Sequence, residues 1–210
     1  MCRFLSVLSF HQPEILAAVL DEERAAYHID LMGRAAYHER FLRTFGFYCG
    51  LAGVQDNDGL CFHILPSGKK AYDDRYAWVG NFARVLDSAS PARCTVRDES
   101  NSYWYIDTVG QQRMGPFAYA GDFSSNGEAC VIDFNGHSTI IDICGRKIYG
   151  TARSTYFDIK PPHKGIAAVK DSKGWYFVDR AGIRVGSQPV NFWRVEPHYN
   201  GQSLVELHTG

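Results

Sequence analysis

At 210 residues with 45% hydrophobic content, the chain carries enough apolar material to bury a core. Its formal net charge of -1, with basic residues scattered along the length, argues against nucleic acid as a partner, and no apolar run is long enough to cross a bilayer as a helix. Aromatics at 14% together with 20 glycines favour short strands and tight turns over helices.

Residues 1–12 hold one basic residue and a brief apolar run stopped by His11-Gln12-Pro13, without a small-residue cleavage site. They read as a leading strand or an N-terminal cap rather than a secretion signal, and the expected address is the cytoplasm. Residues 13–210 read as a single domain of tandem β-repeats. Taken alone, residues 14–24 have helical character, but Ile15-Leu16-Ala17-Ala18-Val19 aligns with Gly50-Leu51-Ala52-Gly53-Val54, which makes the segment a first strand.

From there one template recurs. Val19, Val54, Val96, Val131 and Val169 each end a first strand, a polar turn follows, an aromatic or apolar second strand comes next, and the unit closes at Gly33, Gly68, Gly110, Gly145 and Gly182. The separations from valine to glycine are 14, 14, 14, 14 and 13 residues, whereas the valines lie 35, 42, 35 and 38 residues apart. The hairpins are therefore fixed in length and the insertions map to connections. A sixth first strand, ending at Val205, opens a half-unit. Each closing glycine is followed by a returning strand, as in Tyr72-x-x-Arg75-Tyr76-Ala77-Trp78-Val79, with large and small residues alternating at period two. Prolines 161, 162 and 197 place the later copies at bends or edges. The longer connection 83–91 is a surface loop, with a contact loop as the functional alternative. The expected architecture is all-β: five hairpin repeats and a half in an open β-solenoid-like array, with a closed β-propeller as the alternative. The duplicated first strand leaves an edge at the C-terminal end through which copies of the chain could associate.

The pattern Gly-x-Ala-x-Val-x-Asp-x-x-Gly-x-aromatic, clearest at residues 165–179 and 127–131, resembles the bacterial WG-repeat family across residues 13–210. The Trp-Gly dipeptide that names the family is missing, and Gly174-Trp175 reverses its order, which marks a divergent branch. The resemblance implies a repeat module of a larger bacterial sensor or effector, with no catalytic residues attached to the repeats.

Candidate chemistry gives way to structural readings residue by residue. His28 and His63 share a repeat position, but Tyr105, Ile140 and Phe177 stand there in later copies and no acid or thiol accompanies them at ligand spacing, so half-buried strand residues are expected and no metal or cofactor. The recurring Asp-x-x-Gly is turn chemistry rather than a cation loop. Cys2, Cys49, Cys61, Cys94, Cys130 and Cys144 form no C-x-x-C pair and read as reduced, mostly buried thiols. No nucleophile motif occurs, so no catalytic residue and no enzymatic activity are expected. In Tyr103-Trp104-Tyr105-Ile106 the alternation puts Tyr103 and Tyr105 on one face and Trp104 and Ile106 on the other, and a single-layer array cannot bury both equally. Trp78, Trp104, Tyr119 and Trp193 are accordingly the candidate binding residues, for a protein or peptide partner or alternatively for a carbohydrate or small ligand.

Overall fold

The structure, a computed structural model, describes residues 4–84, 92–151, 154–186, 192–196 and 202–207. The surface connection 83–91 falls outside these residues from position 85 onward, as do Cys2 and Pro197. Among the described residues every regular element is a β-strand, and the strands form six small antiparallel sheets.

The first sheet has the order β1 (Phe4–Val7), β2 (Ala17–Asp21), β3 (Ala26–Ile29), so the leading residues supply a strand. The second runs β4 (Arg43–Tyr48), β5 (Leu51–Gln55), β6 (Cys61–Ile64). The third places β7 (Trp78–Val79) beside β8 (Cys94–Arg97), then β9 (Tyr103–Ile106) and β10 (Gln112–Phe117). The fourth joins β11 (Tyr119–Ala120), β12 (Glu128–Ile132), β13 (Ser138–Asp142) and β14 (Lys147–Ile148). β15 (Asp158–Ile159), β16 (Ile166–Asp171) and β17 (Gly174–Asp179) make the fifth, and β18 (Arg194–Val195) with β19 (Val205–Glu206) the sixth. The second to fifth sheets thus pair the returning strand of one sequence repeat with the hairpin of the next, and the sixth pairs it with the first strand of the half-unit. The chain divides into two compact units, residues 1–116 with 122–126 and residues 117–121 with 127–210.

The repeat template has a direct packing cause. Val19, Val54, Val96 and Val169 are fully or nearly fully buried and stand opposite Tyr27, Phe62, Trp104 and Tyr176 across their hairpins. A β-branched residue facing an aromatic ring contributes roughly 0.2–1 kcal/mol beyond an alanine pair. The shorter fifth hairpin follows from its turn, since Asp171 and Gly174 are themselves paired and leave only Ser172 and Lys173 between them. Each unit has a core of its own, the first around Phe47, Val54, Ile64, Val96 and Ile106, the second around Ile140, Ile159, Val169 and Val178.

The Asp-x-x-Gly turns behave as expected. Asp56 Oδ1 accepts the backbone N–H groups of Asp58 and Leu60, both at 3.0 Å, and Asp142 Oδ1 accepts those of Cys144 and Arg146, both at 2.9 Å. Asp30, Asp98, Asp107, Asp133 and Asp179 repeat this geometry. The carboxylate is consumed by its own turn. Two closing glycines carry a second duty: a Cβ on Gly68 would lie 2.6 Å from Cγ of Tyr37, and one on Gly110 would lie 2.6 Å from Cγ of Tyr72. The tyrosine of one repeat therefore lies flush against the turn of the next.

Three expectations are corrected, and two strands are added. His28 and His63 are fully buried, not half-buried. Tyr105 and Ile106 are both completely buried although they point to opposite faces, because their sheet is covered on both sides at that end. Cys49 and Cys144 are exposed, the first next to a turn glycine and the second inside an Asp turn, while Cys61 and Cys94 are buried. β10 and β14 extend the third and fourth sheets by a strand where the first two repeats make only the single bridges Ile29↔Ala35 and Ile64↔Lys70.

Candidate functional site

Cross-strand register sorts the candidate aromatics by face. Trp78, Arg97 and Tyr103 stand opposite one another across β7, β8 and β9, and residues directly opposite share a face. The next row is Val79, Val96 and Trp104, on the other face. Val79 and Val96 are buried, and Trp104 packs against that core while its indole N–H donates to the Asp98 carboxylate at 2.9 Å. Trp78 and Trp104 therefore do not form one surface. Tyr119 occupies the place in β11 that Trp78 occupies in β7: each faces the residue that follows the core valine, Ile132 and Arg97 respectively.

Trp193 sits one residue earlier, its backbone N–H donating to the carbonyl of Glu206. Leu42 and Phe157 hold the same place, donating to Gln55 and Lys170. The entry to every returning strand thus carries a bulky apolar side chain open to solvent: Leu42 at 46%, Trp78 at 40%, Tyr119 at 46%, Phe157 at 55% and Trp193 at 65% relative exposure. Leu42 and Phe157 escaped the sequence reading. Their signal was the aromatic just before each, Phe41 and Tyr156, which bridges to the second strand and turns its neighbour outward, as Phe192 does for Trp193.

Within the second unit, Trp193 borders an open groove of about 510 Å³ between the β16–β17 turn and residues 192–194. Lys170, Lys173 and Arg194 line it with one carboxylate, Asp171. Asp171 Oδ1 accepts the Lys173 backbone N–H at 2.8 Å. Burial, aided by Tyr156 and Asp171, pushes the neighbouring Tyr176 phenol up to about 12.

The two buried histidines form matching clasps. Nδ1 of His28 lies 2.5 Å from the Tyr37 hydroxyl and Nε2 lies 2.7 Å from the Phe45 carbonyl oxygen. For His63 the partners are Tyr72 at 2.5 Å and Gly80 at 3.0 Å. A carbonyl only accepts, so Nε2 carries the proton and Nδ1 receives the tyrosine O–H. Burial lowers both imidazoles from 6.5 to about 4 and keeps them neutral. Phe47 and Phe82 meet the rings at centroid distances of 4.5 and 4.7 Å, the first tilted by 50° and the second edge-on. Cys94 Sγ lies 3.8 Å from His63 Nε2, but burial pushes its thiol up, so the pair lacks the thiolate a nucleophile needs. These groups tie a hairpin to the returning strand. Among the described residues no three His, Cys, Asp or Glu side chains group as metal ligands.

No protein-family model matches the chain, and no curated sequence matches it. Among solved structures it is similar to the WD40 β-propeller domain of Doa1, at 13% identity over 95% of this chain and 73% of that one, with a TM-score of 0.37. It is also similar to the computationally designed Ika8 protein, at 11% identity over 96% of this chain and 71% of that one, with a TM-score of 0.47.

Proposed function

We propose that the protein is a non-catalytic repeat module that binds a protein or peptide partner, in keeping with its resemblance to the WG repeats of larger bacterial proteins. The observation that carries this reading is the exposed apolar side chain at the entry of each returning strand, Leu42, Trp78, Tyr119, Phe157 and Trp193. Single exposed apolar residues are ordinary on any surface; these recur at two adjacent positions of the returning strand, Trp78 and Tyr119 at one and Leu42, Phe157 and Trp193 at the one before it. Tryptophan and tyrosine are the side chains that anchor interfaces, because they bury much area and lose few rotamers.

Photo-crosslinking from p-benzoylphenylalanine placed at Trp78, Tyr119 or Trp193 tests the reading, with Met32 and Ile183 as controls because both are exposed apolar residues in turns away from this register. The expected result is the same protein captured from the three register positions and not from the controls. Equal capture from the controls refutes it, and saturable glycan binding that blocks the capture reassigns the surface to carbohydrate.

A further inference from the structure

The groove beside Trp193 differs from the rest of this nearly neutral chain by its charge. Among the described residues that line it, Lys170, Lys173 and Arg194 are exposed and Asp171 is the one carboxylate. That carboxylate accepts the Lys173 backbone N–H at 2.8 Å and interacts with the Tyr176 phenol. Asp158, across the strand from Lys170, lies 3.3 Å from Lys160, and Glu196 pairs with Arg194 at 3.0 Å with both side chains largely in water. Exposed pairs of this kind hold a cation weakly and yield it to a competing carboxylate. The indole of Trp193, 65% exposed, stands beside these cations and offers an apolar face that no charge-only site needs.

We infer that this groove docks an acidic peptide segment bearing an aromatic side chain, its carboxylates meeting Lys170, Lys173 and Arg194 and its ring lying on Trp193. The inference rests on the binding-module reading and names the class of partner at one place in it. A cleft of about 510 Å³ accommodates a few side chains, and three cations form too short a track for a nucleic-acid backbone. Carboxylates of a peptide satisfy point-like ammonium groups one at a time, as two of these three cations require.

The test is fluorescence anisotropy of the full chain with a short fluorescein-labelled peptide alternating glutamate and tyrosine. Its counterparts alternating lysine with tyrosine and glutamate with glycine, together with oligothymidylate, serve as competitors. Saturable binding is expected, weakened about tenfold when sodium chloride rises from about 0.05 to about 0.5 M. A loss of about tenfold is expected in Lys170→Ser/Lys173→Ser and in Trp193→Ala, with unchanged melting temperatures because all three side chains are exposed. Arg194→Gln provides an independent variant with the same expected direction. The glutamate–glycine peptide should compete at least several-fold less well than the glutamate–tyrosine one. No binding, equal binding of the lysine peptide, tighter binding of oligothymidylate, or unaltered binding in the variants overturns the inference. If crosslinks from Trp78 and Tyr119 persist in that event, only the acidic-peptide assignment falls; if they are also silent, the binding-module reading falls with it.

Discussion

The buried histidines make stability depend on pH in a window where few other groups titrate. His63 is 1% exposed, and burial lowers it from 6.5 to about 4; His28 is 0% exposed and is lowered to the same value. In the unfolded chain both imidazoles return to their ordinary 6.5 and take up protons as the pH falls, while the folded ones stay neutral. A depressed folded pKa on a base means that stability is fully present above about pH 6.5, declines as pH falls toward about 4, and changes no further below that. At pH 5 the unfolded state gains about 2 kcal/mol per histidine, so about 4 kcal/mol for the two. That is a large share of the 5–15 kcal/mol typical of a domain.

The aspartate turns do not confuse this window. Asp30 and Asp133 are held below their ordinary 3.8, each chiefly by a backbone N–H, and so lose their contribution only as pH falls below about 4. Urea unfolding followed by circular dichroism at pH 7 and pH 5 should therefore show the loss. His63→Phe/Tyr72→Phe replaces one clasp by apolar rings, leaves the Gly80 carbonyl without its donor, and should cost about 1–3 kcal/mol at pH 7. Its further loss on going to pH 5 should be about half that of the unmodified chain. A wild-type difference under about 1 kcal/mol, or a double variant as pH-sensitive as wild type, refutes the neutral buried clasp.

The closing glycines separate backbone conformation from close approach. Gly136 has φ +81° and open space around its Cβ direction, so Gly136→Ala should cost about 1–2 kcal/mol by chemical denaturation. Gly110 has φ +82° and the Tyr72 ring against it, so Gly110→Ala should cost at least about twice as much, and comparable losses would mean that the ring moves aside freely. Asp142→Ala removes the acceptor of two backbone N–H groups and an Arg146 contact at 2.7 Å. It should lower stability by about 1–2 kcal/mol, and Asp142→Asn should recover most of that because an amide oxygen still accepts both bonds. Trp193→Ala should leave the unfolding free energy within about 0.5 kcal/mol, since the ring is 65% exposed, and a larger loss would give it a packing role.

What the sequence made legible was local. Valine-to-glycine spacing is set inside one hairpin, and the Asp turn is closed by bonds to its own next four residues, so both are written contiguously. The stagger between repeat and sheet was not legible. β4 follows the first closing glycine yet pairs with β5 of the next unit, and antiparallel register is indifferent to which neighbour supplies it. The clasp was partly legible, because His28 and His63 are each followed nine residues later by a tyrosine and nineteen later by the phenylalanine that packs against the ring. Reading the histidines alone missed it, since burial arises only when the second face of the strand is covered by the returning chain.

Internal repetition also allows the copies to be compared with one another. At the clasp, the third repeat replaces histidine by Tyr105, which is fully buried and lies 4.7 Å from Phe123 in a tilted ring contact. Hydrogen-bonding groups are exchanged there for a buried phenol ring, and the fourth repeat buries Ile140 at the same place, as close packing allows and specific chemistry would not. The entries of the returning strands behave in the opposite way. Trp78 and Tyr119 hold a position where the other copies carry Arg43, Asp158 and Arg194, so a polar side chain suits the fold there, and Leu42, Phe157 and Trp193 hold the position before it; all five are 40% exposed or more. Packing accounts for the side chains of the interior, but it does not account for bulky apolar groups held in water, and these are the groups that the proposed binding role would use.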